Sequence, residues 1–288
     1  MTDTHEKSQL LRKPPWLKVR LPHAQESRKI RTTLAGLKLH TVCQEAACPN
    51  IAECFANGTA TFLILGNICT RHCLYCNVQH GAPLPVDERE VDQLIVAVQE
   101  TNLKYIVITS VTRDDLPDGG AGIFADCINK LRRALPECKI EVLIPDFQGS
   151  LSALEKVIVA RPDVINHNME TVKSLFPRLR PQGNYSLSLE LLSRVSSSST
   201  ISKSGFMIGF GESQDDVLRL MDDLASVSCM RLTIGQYQQP TLQHWPVVKY
   251  YHPDEFARLK EIACSIGFRY VEAGPLVRSS YHAARADL

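Results

Sequence analysis

The sequence runs to 288 residues, 44% hydrophobic and 22% charged, enough for one sizeable α/β domain with extensions or for two small domains. Its 32 Lys and Arg against 31 Asp and Glu leave a formal charge of +1, which excludes nucleic-acid binding through bulk electrostatics. No apolar run reaches the roughly 18 residues that cross a bilayer, and Met1–Gln9 is polar rather than signal-like. A cytoplasmic protein with no membrane and no nucleic-acid partner is expected.

In chain order, the first 40 residues form a basic arm. Lys7, Arg12, Lys13, Lys18, Arg20, Arg28, Lys29, Arg31 and Lys38 face only Asp3, Glu6 and Glu26. The arm reads either as a solvated extension or as a docking surface for an acidic protein partner. Ten cysteines are the outlier of the composition, and six of them fall between Cys43 and Cys76. In a reducing compartment such clustering points to metal or redox chemistry rather than to disulfides. Cys127, Cys138, Cys229 and Cys264 are scattered, and most read as buried small hydrophobes.

From residue 61 the pattern becomes regular. Short β-rich runs recur at Thr61–Gly66, Lys104–Val111, Lys139–Asp146, Asp163–Glu170, Lys203–Phe210 and Met230–Tyr237. Between them apolar residues take helical spacing, as at Val91, Leu94, Ile95 and Val98, at Leu151, Leu154, Val157 and Ile158, and at Val217, Leu220, Met221 and Leu224. Strand–helix alternation of this kind builds parallel βαβ units. A closed eight-fold barrel needs about 250 residues and only about 200 come after Gly66, so an open partial barrel of about six units fits better. The chain divides into an N-terminal extension (1–60), the barrel (61–267) and a C-terminal segment (268–288).

Two cysteine arrays flank the first strand of the barrel. Cys69, Cys73 and Cys76 form a C-x3-C-x2-C loop directly after it, where parallel barrels gather their reactive groups. Structural zinc takes four ligands, which here would require His72 or His80. Three thiolates instead leave one corner of a four-iron cube open to a small molecule. Upstream, Cys43, Cys48 and Cys54 form a C-x4-C-x5-C array, again three thiolates.

The first array, with the aromatic Tyr75 before its last cysteine, resembles the radical S-adenosylmethionine superfamily. The second array, together with Arg278-Ser279-Ser280-Tyr281 near the C-terminus, resembles lipoyl synthases within it. The likeness extends through Lys13–Leu17, Thr109–Ala121, Asn166–Thr171, Lys203–Glu212 and Gln236–Thr241. Leu74, Asn77, Leu187 and Gln238 depart from the family pattern, and none is a metal ligand.

The resemblance implies an α/β fold, a partial (β/α)6-type radical SAM barrel whose N- and C-terminal extensions carry an auxiliary iron–sulfur cluster. It implies two [4Fe-4S] clusters and S-adenosyl-L-methionine as cofactors. By the same likeness, Cys69, Cys73 and Cys76 hold the radical cluster, beside Tyr75. Cys43, Cys48 and Cys54 hold the auxiliary one, completed by Ser280, with Ser279 as the alternative. Arg278 and Tyr281 anchor the tail. Gly119 and Gly120 let the backbone approach the methionine group, and Asn168 and Glu170 bond the methionine or ribose part; a plain turn and a solvent-facing polar pair are the competing readings. The implied reaction is insertion of two sulfur atoms at carbons 6 and 8 of an octanoyl chain. That chain is carried on a lysine of a lipoyl carrier domain or glycine-cleavage carrier protein, and a ferredoxin- or flavodoxin-like donor supplies electrons. The competing functions are a biotin-synthase-like or methylthiotransferase-like activity, or a zinc-stapled interaction module.

Overall fold

The computed structural model describes residues 11–18, 36, 40–41, 48, 50–56, 59–101 and 103–287. Strand β2 (Thr59–Ile64) is buried at all six positions, as expected of a β-branched and aromatic run covered on both faces of a parallel sheet. It is followed by β3 (Tyr105–Ser110), β4 (Lys139–Leu143), β5 (Val164–Asn166), β6 (Ile201–Ile208), β7 (Arg231–Gln236) and β8 (Tyr270–Gly274). These seven strands are parallel and lie in sequence order, while a short β1 (His40–Thr41) pairs antiparallel with β2. No pairing joins β8 back to β1 or β2 among the described residues, so the barrel is open.

Helix α1 (Ile51–Ala56) precedes β2. The crossovers carry α2 (Glu90–Thr101), α3 (Ala121–Ala134), α4 (Leu151–Val159), α5 (Phe176–Leu179) with α6 (Tyr185–Ser196), α7 (Gln214–Ser226) and α8 (Pro253–Ile266). Their starts are written in the sequence. Ser150 and Asn184 cap α4 and α6, Ser213 and Asp216 form a capping box on α7, and Pro253 opens α8. Each longer helix turns one apolar stripe to the sheet; on α7 it is Val217, Leu220, Met221 and Leu224. The core falls into two halves, one around β2–β4 and one around β6–β8. No helix among the described residues is long and apolar enough to cross a membrane.

The six expected strands are present with shifted or trimmed ends: β2 and β6 begin two residues earlier, at Thr59 and Ile201, while the run 163–170 shortens to Val164–Asn166. Two strands are additional. β1 lies in the N-terminal extension, and β8 carries the sheet beyond residue 267, where the sequence reading ends the barrel. Of the scattered cysteines, Cys127, Cys138 and Cys229 are buried and Cys264 is exposed.

Alternate residues of each strand face the barrel interior. On β6, Lys203 sits low and is paired, while Gly205 and Met207 line a cavity above it. Below the cavity lies a polar floor. Lys203 Nζ donates to both oxygens of Glu141 at 2.8 and 3.1 Å, Tyr105 Oη donates to Glu141 at 2.7 Å, and Asn166 Nδ2 donates at 3.3 Å. The side chains of Lys203 and Glu141 are 4% and 0% exposed, so neither charge has water to fall back on. Removing Lys203 strands the Glu141 charge, whereas neutralising both while keeping an acceptor for Tyr105 and Asn166 relieves it. Lys203→Met should lower stability to urea by about 3–5 kcal/mol, and Glu141→Gln combined with Lys203→Met should recover part of that loss. A double variant no better than the single would show that the pair is not what stabilises the floor.

Candidate active site

Cys69, Cys73 and Cys76 lie on the loop that leaves the C-terminal end of β2. Burial, not exposure, fixes this loop. Between two of its cysteines sits Arg71, 6% exposed, which forks onto two carboxylates at once: Asp114 at 2.7 and 2.9 Å and Asp146 at 2.6 Å through both oxygens. Asp114 comes after β3 and Asp146 after β4, so one guanidinium ties the cysteine loop to two neighbouring strand ends. Its charge holds the Asp146 carboxyl below the usual range against the opposing effect of burial. Backbone bonds add to the hold. Thr70 N–H donates to Thr112 O at 3.0 Å, Leu74 N–H to Leu179 O at 3.0 Å, and Trp245 N–H to Leu74 O at 2.9 Å. His244 Nε2 donates to Cys76 O at 3.0 Å.

Tyr75 packs edge-on to Phe210, which stacks on Tyr237 at 4.2 Å. Around it the chain collects charge. Glu170, in the left-handed backbone region at φ 67°, accepts from Asn168 Nδ2 at 3.0 Å. Burial pushes its carboxyl up, with Arg180, Asn168 and Arg278 pulling it down. Arg180 is buried and donates to Asn168 O at 2.9 Å, and its charge acts on Tyr75, Glu170 and Cys73. Two buried polar atoms here, Asn168 Oδ1 and Arg180 Nε, have no partner among the described residues.

Helix α1 and the C-terminal segment meet across the open side of the barrel. Tyr281 Oη donates to both oxygens of Glu53 on α1 at 3.1 Å, and His282 Nε2 lies 3.2 Å from Glu53 Oε1. Asn50 Nδ2 donates to Leu276 O at 2.5 Å. The tail crosses β7 where Gly235 stands: a Cβ there would come within 2.3 Å of Val277 O, so only glycine admits it. These contacts set the second cysteine array beside the C-terminal segment. One cavity of about 250 Å³ is lined by Tyr75, Cys76, Asn168 and Glu170 together with Cys48, Arg278, Ser279 and Ser280. Burial disfavours the charge of Arg278, while Cys48 and Glu170 favour it. Cys54 sits behind, on α1. Cys43 lies outside the described residues.

The structure thus brings Tyr75, Cys76, Asn168, Glu170, Cys48, Arg278 and Ser280 to one wall, with Ser279 alongside, and Cys69 and Cys73 on the same loop as Cys76. It does not bring Gly119 and Gly120 there. Both have positive φ, at 61° and 89°, in the turn that starts α3. A Cβ would meet Phe147 Cδ1 at 3.0 Å and Leu65 Cδ1 at 2.3 Å respectively, so protein packing, not a ligand, occupies the space they leave. Leu187 packs against Gly149, away from the cavity. His167 is fully enclosed between Ile144 O and Ser188 Oγ at 2.9 Å each, and burial pushes its pKa down to about 4, which makes it structural. Sequence reading missed Arg71, Asp146, Arg180 and Glu53. The one available signal was a basic residue inside the C-x3-C spacing; the rest are long-range contacts.

Similarity to known proteins decides the family. Residues 63–224 match the radical SAM superfamily, and residues 2–48 match the N-terminal domain of lipoyl synthase. The lipoyl synthase of Rubrobacter xylanophilus is 51% identical over 273 residues, covering 94% of this chain and 85% of the relative. That of Roseiflexus sp. is 51% identical over 274 residues, covering 94% and 91%. The chain belongs to the lipoyl synthase family. Among solved structures, methylornithine synthase matches with a TM-score of 0.57 at 10% identity, over 87% of this chain and 83% of that one. Streptococcus suis SuiB bound to its precursor peptide gives 0.57 at 13%, over 86% and 52%. Both agree with the open parallel barrel.

The family implies S-adenosylmethionine and a [4Fe-4S] cluster, and the residues fit. The array's thiols are free of disulfides, and unpartnered polar atoms line the approach. Among the described residues no three His, Cys, Asp or Glu side chains converge on a point suited to a single metal ion; a cube takes each thiolate on a separate iron. Burial pushes the Cys76 thiol up to about 12, and Cys54 to about 12 with Cys48 and Glu53 adding to the effect. Cys73 is raised by burial as well, against the pull of Arg180 and Tyr75. Such thiols keep their protons at neutral pH, so iron must displace them. Iron retained after anaerobic reconstitution should therefore fall as the loading pH is lowered from about 8.5 to about 6.5. Arg71→Met, which leaves Asp114 and Asp146 unpaired beside the loop, should lose iron faster to a chelator at every pH. Wild-type retention in that variant would separate the loop's shape from its guanidinium.

Proposed function

We propose that the chain is a sulfurtransferase that inserts sulfur at carbons 6 and 8 of an octanoyl chain bound as an amide to a carrier-protein lysine, giving the lipoyl group. The observation that carries the reading is the shared cavity, whose wall joins Cys76 and Tyr75 of one array to Cys48 of the other and to Ser279–Ser280 of the tail. An unactivated methylene has no acidic proton and no electrophilic carbon, so general acid–base and nucleophilic groups have no foothold on it. Cys69, Cys73 and Cys76 would hold a [4Fe-4S] cluster that with S-adenosylmethionine would supply radical chemistry, and Cys43, Cys48, Cys54 and Ser280 would hold a second one that would supply sulfur.

The chain's own residues bind, orient and exclude water. Tyr75, Phe206, Met207, Tyr237 and Val277 give the cavity its apolar wall, suited to an alkyl chain. Glu170, turned by Asn168, and Arg180, fixed by backbone carbonyls, offer paired charges to the amino and carboxylate ends of a methionine group. Ser280 is a harder donor than the cysteines and the easier ligand to displace when a cluster must give up sulfur. Arg278 donates to the adjacent Val277 O at 2.7 Å, a bond within the tail itself, and lines the cavity. The carrier partners are lipoyl carrier domains or the glycine-cleavage carrier protein, with the basic N-terminal arm as a docking surface. A ferredoxin- or flavodoxin-like protein serves as reductant, and the cytoplasm as the compartment.

Anaerobically reconstituted protein should hold about eight iron per chain, four for each cube. Cys73→Ala should abolish reductive cleavage of S-adenosylmethionine. Cys48→Ala should retain some cleavage yet give no lipoyl product from an octanoylated carrier by mass spectrometry. Ser280→Ala should keep both clusters and lose most sulfur insertion. Lipoyl product from Cys48→Ala would refute the assignment of sulfur donation to that array.

A further inference from the structure

Gln238 lies just past β7 and stands in the wall of the cavity. Its two amide atoms have opposite surroundings. Oε1 accepts a 3.0 Å hydrogen bond from the exposed Lys13. Nε2 is buried and has no partner among the described residues. A lysine ammonium only donates, so the amide atom facing Lys13 must be the carbonyl oxygen. The orientation ambiguity of a glutamine amide is thereby removed, and the NH2 group is fixed on the buried side.

The segment that carries Lys13 is held at its neighbours. Trp16 Nε1 donates to Tyr251 O at 3.1 Å, the Trp16 ring meets His252 edge-on at 4.9 Å, and Tyr250 Oη donates to Leu11 O at 3.4 Å. The N-terminal segment therefore clamps the outer end of Gln238 and presents a neutral donor inward. A buried donor without an acceptor is destabilised, and a ligand acceptor would relieve it. A carboxylate would find the cationic Arg180 and Arg278 elsewhere in the site; a neutral carbonyl suits a neutral amide N–H.

We propose that Gln238 is a specificity-determining residue whose Nε2 donates a hydrogen bond to the acyl carbonyl of the octanoyl-lysine amide, with Lys13 as its positioning residue. The inference rests on the substrate class proposed above and adds where the head of that substrate is gripped. The octanoyl chain then extends from Gln238 along the apolar wall toward Cys48 and Cys76. A free fatty acid lacks the amide, and its charge would draw it to the arginines.

The test uses the reconstituted enzyme with S-adenosylmethionine present. Equilibrium binding is measured for a peptide carrying octanoyl-lysine and for the same peptide with an all-methylene side chain of equal length. Gln238→Leu should weaken the amide peptide about two- to tenfold, the range of one net hydrogen bond, and change the hydrocarbon peptide less than about twofold. Gln238→Glu keeps the Lys13 contact but turns an acceptor toward the carbonyl, and should weaken the amide peptide at least as much. Lys13→Met should show the same selectivity at smaller size. Equal weakening of both peptides by Gln238→Leu would reduce the residue to a matter of shape and overturn the proposal. So would a loss of S-adenosylmethionine binding in its place, which would give the donor to the cofactor. Undiminished amide binding by Gln238→Leu, with the wild type still converting the octanoyl peptide, would sink this inference alone. A wild type that binds neither peptide would sink the substrate reading along with it.

Discussion

The seven parallel strands do not close on themselves: among the described residues no pairing joins β8 to the β1–β2 edge. An open edge is a row of unmet backbone groups and an unprotected interior. Here α1 and the C-terminal segment meet over the gap, joined through Glu53, Tyr281 and His282 and through Asn50 and Leu276. Covering the gap and completing the site are the same act. The segments that close the barrel are those that bring Cys48 and Ser280 to the cavity wall.

The interior is divided by polarity along the strands. Low in the barrel the Glu141–Lys203 pair and its neighbours form a filled, bonded layer, and the short helical turn at 283–287 packs Ala283 against Tyr105 and Val107. Higher up, small residues such as Gly205, Thr233 and Gly235 leave room, and the chain closes the top with cysteines, arginines and aromatics. The floor is a place where removing one group is costly; the space above is one where a ligand can enter without displacing packed side chains.

How much of this the sequence carried depended on the range of the interaction. The two cysteine arrays were legible because their ligands lie within a dozen residues and the spacing itself encodes the loop. The strands of the barrel were legible because burial on both faces writes a continuous apolar run. β8 escaped because Tyr270–Gly274 is mostly half-exposed and contains Glu272, which binds His282 rather than facing an apolar layer. Gly119 and Gly120 invited a ligand reading, since glycine marks any close approach; the neighbours in question are Phe147 and Leu65, which no local pattern reveals. Arg71 lies inside the array yet takes its partners 43 and 75 residues away, so its role was invisible.

The Glu53 contacts span 228 and 229 residues. Arg71 can find Asp114 and Asp146 while the second half of the barrel is still being made, and Leu179, His244 and Trp245 complete the hold on the cysteine loop later. Glu53 must wait until every strand has left the ribosome. Contacts that close so long a loop are made late and, being few and half-exposed, are also released first. The two halves of the site therefore differ in age and in persistence. The guanidinium fork on the first cysteine loop can form before the tail exists, while Ser279 and Ser280 reach the cavity wall only in the finished chain.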